Sequence, residues 1–203
     1  MVTMAKRLNE ISFDEMQEIA DAGAKVLHNR CVQIGKKFDS NIIAKSTFSN
    51  DGGTRVCKEI ENTEVKSIVK NEKLIEIKLE RSKSVSGIDV YQNLLDNNII
   101  PEKFESKETE IKFIVNKAEE NKVLELLERM NQDLKVSQKN IVKLAIVGYG
   151  IIQDNTILNK VIKILKNNKI YIENINLTQS KIEIIVKNIE KSVLEELHKE
   201  LIK

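Results

Sequence analysis

The sequence predicts an α+β protein in which two βαββα units follow an α/β fragment. Three observations carry this. The segments Lys73 to Met130 and Asn140 to Leu201 follow the same course at an offset of about 70 residues. Each segment pairs strand-like alternation with helices whose leucines recur at helical spacing. The stretch Ala5 to Cys57 has a different pattern and stands outside the repeat. With 203 residues, of which 41% are hydrophobic and 32% charged, the chain is long and apolar enough to bury one large core or two small ones.

In the first region, Ser12 and Glu15 have the spacing of a capping box, and Phe13, Met16, Ile19 and Ala20 mark one apolar helical face. Gly23 ends this helix. A second helix is predicted over Lys25 to Phe38, presenting Leu27, Cys31 and Ile34. IIAKSTF reads as a strand, and Asp51, Gly52 and Gly53 as a turn. One strand and two helices cannot bury their own apolar faces, so this region belongs to a larger α/β domain. Deprived of it, the region is expected to be the least protected part of the chain, or to pack on a neighbouring copy.

The first repeat opens on LIEIKLE, which alternates apolar and charged residues as a half-buried strand does. A polar loop, Ser82 to Gly87, leads to a helix carrying Val90, Leu94 and Leu95. The second repeat opens on the more apolar IVKLAIVGYG, and its helix carries Ile157, Val161, Ile164 and Leu165. Both helices run into paired asparagines, Asn97 and Asn98 in one, Asn167 and Asn168 in the other, which suit a left-handed helix terminus. IIPEKF and IYIENI follow, then the strands TEIKFIV and KIEIIV, then the helices ENKVLELLERM and EKSVLEELHKEL. Helices cover one sheet face in each repeat; the open face or edge is expected to find a partner.

The 33 basic and 31 acidic side chains nearly cancel and are interspersed, which argues against a nucleic-acid partner. No apolar run approaches the roughly 20 residues of a bilayer span, and the N-terminus lacks a signal-peptide core, so a cytoplasmic protein without a membrane partner is expected. Cys31 and Cys57 are the only cysteines and lack metal-ligand spacing, and His28 with Cys31 has no second pair to complete a metal site. Gly148 and Gly150 form a GxG, but a dinucleotide fingerprint would need a glycine where Gln153 stands. His198 lies near the end of the last helix, where a histidine complements the helix terminus.

The run AKRLNEISFDEMQEIADAGAKVLH, then NIIAKSTF and GGTRV, resembles the end of the amino-acid kinase domain of aspartokinases in order and spacing. The two repeats, with VGYG between them, look like the tandem ACT domains that follow it. The resemblance implies two ferredoxin-like βαββαβ ACT domains preceded by an α/β kinase fragment. Residues 1–60 would be the kinase end, 61–137 the first ACT domain and 138–203 the second, with 61–70, including the strand-like EVKSIV, completing the second ACT sheet.

Aspartokinases transfer the γ-phosphoryl group of MgATP to L-aspartate, giving 4-phospho-L-aspartate for lysine, threonine and methionine biosynthesis. The family's main substrate motifs do not occur here, so no catalytic residue is assigned, no cofactor is expected in this portion, and the chain is expected to be inactive alone. Lys6 matches a lysine that approaches the nucleotide phosphates in the family. The implied role is allosteric: sensing a free amino acid, lysine or threonine, forming a homodimer through the ACT domains, and acting on the missing catalytic domain.

The effector residues implied are Ser86, Gly87 and Ile88 on the loop, with Glu102 and Ser106 near the second strand. Backbone N–H groups at a helix start suit an α-carboxylate, and an acid suits an ammonium group. The family often has aspartate at the position of Glu102, and Pro101 stands where an apolar strand residue is usual. The alternative is a purely structural ACT dimerisation module that binds no effector. In the second repeat Glu173, Asn174 and Asn176 are expected to serve pairing.

Overall fold

The computed structural model describes residues 2–3, 5–48, 52–58, 64–80, 85–130, 135–153 and 155–202. Asp51 of the expected turn, 82–84 of the expected loop and 61–63 of the stretch 61–70 lie outside them. The chain divides into two compact units, residues 1–71 with 142–203, and residues 72–141. No helix among the described residues is long and apolar enough to cross a membrane.

The first unit begins with β1 (Glu10–Ser12), α1 (Phe13–Asp21), α2 (Asn29–Lys37), β2 (Ile42–Ala44) and β3 (Thr54–Cys57). β3 is central in a three-stranded sheet, parallel to β1 and antiparallel to β2. The capping box is present: Glu15 N–H donates to Ser12 Oγ at 3.2 Å, and Ser12 N–H donates to the Glu15 carboxylate at 3.1 Å. Gly23, at φ +104°, turns the chain away after α1. Three strands stand where one was expected, because β1 and β3 are too short to show a period.

α2 is shorter than expected, starting after His28, whose Nδ1 accepts the Arg30 N–H. Its buried face also differs. Cys31 and Ile34 are exposed and Leu27 is only partly buried, whereas Val32 and Gly35 are buried. Gly35 explains the choice: a Cβ there would lie 2.6 Å from Ile42 Cδ1 and 2.9 Å from Phe13 Cε1. The bare glycine lets α2 approach β2 and α1 closely, and that rotation turns Ile34 outward.

Two long strands, β4 (Ser67–Glu80) and β7 (Val136–Val147), have halves in different units. In residues 72–141, β4 is followed by α3 (Gly87–Asp96), β5 (Lys103–Ser106), β6 (Glu110–Asn116) and α4 (Glu120–Met130). The pairing runs β5-β6-β4, both pairs antiparallel. Ile75, Ile77, Leu79, Val90, Leu94, Phe113, Val123 and Leu127 form its core. Leu95, expected in the apolar face, is 38% exposed. Glu64 to Val69 does not form a strand of its own; the strand starts at Ser67 and continues to Glu80.

The remainder of the first unit contains α5 (Asn155–Asn167), β8 (Ile172–Thr178), β9 (Lys181–Val186) and α6 (Lys191–Leu201). The pairing runs β7-β9-β8, antiparallel, and Lys66 N–H donates to Val147 O at 2.8 Å, setting the start of β4 beside the end of β7. Leu144, Ile146, Val161, Leu165, Ile182, Ile184 and Leu197 form its core under the helices.

The repeat extends to individual hydrogen bonds. Asn97 Nδ2 donates to Asn93 O and Asn168 Nδ2 to Ile164 O, each at 2.9 Å; Ile99 N–H meets Leu94 O and Ile170 N–H meets Leu165 O, again at 2.9 Å. The left-handed residue between is Asn98 in one repeat and Lys169 in the other, so Asn168 corresponds to Asn97, and both its side chain and its backbone N–H donate to Ile164 O.

The outer faces of the β5-β6-β4 and β7-β9-β8 strands differ. On residues 72–141 it carries ion pairs: Lys78 and Lys112 to Glu110 at 2.6 and 3.1 Å, Lys139 to Glu76 at 3.2 Å, and Lys135 to Glu80 at 3.2 Å. Hydrogen bonds from Lys78 and Lys112 hold the Glu110 carboxyl down at about 2. In the first unit the corresponding face is apolar, and α1 covers it. Ile11, Phe13, Met16, Ile19 and Ala22 pack with Val69, Ala145 and Val147 in one buried cluster. The α1 face of the N-terminal region is therefore buried against its own chain, while Ile34, Phe38, Ile43 and Phe48 of the same region stay exposed.

Beside that cluster, Glu18 accepts from Lys181 Nζ at 2.9 Å, and Lys143 is 7% exposed. Burial works against the Lys181 charge, but the Glu18 hydrogen bond and the Glu18 and Glu183 charges outweigh it and raise its pKa. Asp21 is raised by burial and then by Glu18.

Two outcomes follow from this packing. Gly35→Ala should destabilise the chain by about 1–2 kcal/mol, an overpacking cost of about 1–3 less the ~0.5–1 that alanine gains in a helix, read by denaturant unfolding. Because Asp21 holds its proton to higher pH when folded than when unfolded, its ionisation costs stability as pH rises above about 3.8. Asp21→Asn, which keeps an acceptor for Asn29 Nδ2, should raise the melting temperature at neutral pH, with the gain vanishing below that range.

Candidate functional site

In residues 72–141 the start of α3 faces the β5 strand across an open depression of about 770 Å³. Ser86 caps α3: its Oγ accepts the Asp89 N–H at 3.1 Å and donates to Asp89 Oδ2 at 2.7 Å, and its N–H reaches the same carboxylate at 3.4 Å. Gly87 is buried in the first turn. A Cβ on it would lie 2.2 Å from Ser106 Oγ and 2.7 Å from Ser106 Cβ, so helix and strand touch where Gly87 has no side chain. Ile88, next in the turn, is 81% exposed.

From the strand side, Glu102 N–H donates to Ile114 O at 2.9 Å, extending the β5–β6 ladder by one bond. Glu102, Phe104 and Ser106 then alternate with Lys103 and Glu105, as strand geometry dictates. Ser86, Gly87, Ile88, Glu102 and Ser106, the five residues singled out in the sequence, all line this one depression. Lys6 is exposed in the other unit, ahead of β1, in a stretch without regular structure.

The depression has further walls that the sequence reading did not name. Tyr91 packs edge-on to Phe104 with centroids 5.0 Å apart, and Phe104 stacks on Phe113 at 5.9 Å. Gln92, Pro101 and Lys103 complete the lining. Lys103 Nζ meets Glu105 at 2.7 Å, and that hydrogen bond lowers the Glu105 pKa. The signal for Tyr91 and Phe104 was available: Tyr91 lies one turn beyond Gly87, and Phe104 sits midway between Glu102 and Ser106 at period two.

The fold recurs elsewhere. The aspartokinase of Rickettsia felis is 31% identical over 92% of this chain and 49% of its own length. The chain is a relative of the aspartokinases. It resembles their C-terminal part and spans about half the length of the curated relatives it matches, 49% and 51% for two of them. No family model matches the chain.

Among solved structures, Escherichia coli aspartokinase III in complex with aspartate and ADP superposes with a TM-score of 0.82 at 20% identity, over all of this chain and 48% of that one. The same enzyme in complex with lysine and aspartate gives 0.76 at 21% identity, again over all of this chain and 48% of that one. The regulatory subunit of aspartate kinase from Thermus thermophilus matches 68% of this chain and 98% of its own at 18% identity, with a TM-score of 0.58. These likenesses establish the fold alone, ACT-type repeats preceded by an α/β segment.

The contact between Gly87 and Ser106 can be tested directly. Gly87→Ala should cost about 1–3 kcal/mol of unfolding free energy, and adding Ser106→Gly should recover most of it, a coupling that a double-mutant cycle would measure.

Proposed function

We propose that the chain is the allosteric regulatory portion of an aspartokinase and that the depression between α3 and β5 senses a free amino acid, lysine or threonine. What carries the reading is the convergence of the five residues implied by the family resemblance on one depression with an apolar aromatic wall. The N–H groups of Gly87 and Ile88 belong to the first turn of α3, where intrahelical partners are lacking and the helix dipole favours an anion. An α-carboxylate suits that turn, Glu102 suits the ammonium group, and Tyr91 and Phe104 offer a surface to the methylenes of the side chain.

In this reading Ser86 sets the helix start and does not meet the ligand, because its hydroxyl and N–H are committed to Asp89. The same commitment favours a second reading, a structural ACT module with no effector. Either way, assembly as a homodimer would use sheet edges: β8 is an edge strand with Ile175 and Leu177 38% and 46% exposed.

Transfer of the γ-phosphoryl group of MgATP to L-aspartate, as in the lysine branch of amino-acid biosynthesis, is assigned to the remainder of the catalytic domain. The exposed Ile34, Phe38, Ile43 and Phe48 would pack against that domain. Lys6, ahead of β1, would then lie at its nucleotide side.

Thermal unfolding against lysine, threonine, methionine and aspartate tests the reading. One of the first two at a hundredfold excess over its Kd should add about 2.7 kcal/mol and raise the melting temperature by ~5–10 °C. Glu102→Gln should abolish the shift. No shift with any of them at millimolar concentration would favour the structural module.

A further inference from the structure

Glu15 is the only carboxylate among the described residues that is buried outright, at 0% exposure. Its two oxygens face different parts of the first unit. Oε2 accepts from Ser12 N–H at 3.1 Å and from Ser12 Oγ at 2.9 Å, closing the cap of α1. Oε1 accepts the Tyr149 N–H at 3.1 Å, from the loop between β7 and α5. One turn further along α1, Glu18 Oε1 accepts from Ser180 Oγ at 3.1 Å and Oε2 from Lys181 Nζ at 2.9 Å, at the turn between β8 and β9.

The loop and the turn are also bound to each other. Gly148 N–H donates to Ser180 O at 3.0 Å, Gly150 N–H to Gln179 O at 2.9 Å, and Gln179 Nε2 to the Tyr149 hydroxyl at 2.8 Å. Gly148 is hemmed in from the other side, since a Cβ there would stand 2.3 Å from Glu64 O. The bonds make a closed circuit from Ser12 through Glu15, the loop, the turn and Glu18 back to α1.

A buried carboxylate is tolerated only while its donors are in place, and losing one leaves a charge short of partners where water cannot replace them. The cap and the loop are alternatives for neither oxygen; both are required at once. We propose that Glu15 and Glu18 form a two-point clasp through which displacing the β7–α5 loop uncaps α1, and uncapping α1 releases the loop. Coupling of this kind is reciprocal. Since α1 lies in the segment that resembles the kinase end and the loop in the second repeat, the clasp would carry a change in the repeat to the helix start that follows β1. It lies wholly in residues 1–71 and 142–203 and does not depend on the effector reading of the depression.

Hydrogen exchange of the whole chain, resolved by residue, tests it from both ends. Ser12→Ala removes the cap hydroxyl and touches nothing in the loop. The amides at the start of α1 and those of Tyr149 to Ile152 should both exchange at least about fivefold faster, the loss typical of a helix cap, with residues 72–141 and the centre of β9 unchanged. Gly148→Ala, which strains the loop against the backbone at Glu64 and touches nothing in α1, should speed the same two segments. Should that variant not fold, Ser180→Ala removes the hydroxyl that Glu18 holds and should do the same. Acceleration confined to α1 in the first variant, confined to the loop or turn in the others, or spread evenly through the unit would overturn the clasp.

Discussion

The face of α1 has to be covered, and the surface that covers it is the back of the strand that starts the second repeat. Phe13, Met16 and Ile19 are each worth about 1.5–3 kcal/mol when taken out of water, and they lie against Ala145, Val147 and Val69. Small residues on the strand let the helix sit close. That closeness carries Glu15 into a dry site, which then obliges the neighbouring backbone to supply its donors. The short strands β1 to β3, the bend at Gly23 and the packing of α2 at Gly35 all follow from where α1 comes to rest.

The same contact explains a pattern visible in the sequence. IVKLAIV lacks alternation because both faces of β7 are covered there, and all seven residues from Ile141 to Val147 are buried. LIEIKLE alternates because one face of β4 stays wet. The repeat, its helices and the capping box at Ser12 were legible because each depends on near neighbours in sequence. The rest was less so. β1 and β3 are short strands held by partners more than 40 residues away, such as Ile11 beside Val56. The buried face of α2 was misjudged because a glycine set it, and glycine carries no hydropathy signal that outweighs isoleucine.

Of the candidate site, the resemblance supplied the five residues and simple periodicity would have added two more. What no local pattern encodes is that Gly87 and Ser106 touch, or that the Ser86 hydroxyl is spent on Asp89. Those are facts of how a helix start meets a strand end. They decide which groups remain free for a ligand.

The ion pairs across the outer face of β4, β6 and β7 in residues 72–141 have a further consequence for how copies of this unit could meet. Covering Glu76, Glu110 and their lysines with another sheet would strip water from several charges, at a cost of several kcal/mol for each ion. Face-to-face stacking of this unit is thereby disfavoured. Growth in the plane of the sheet stays open, because adding a strand at an edge satisfies backbone groups and leaves every one of those charges hydrated.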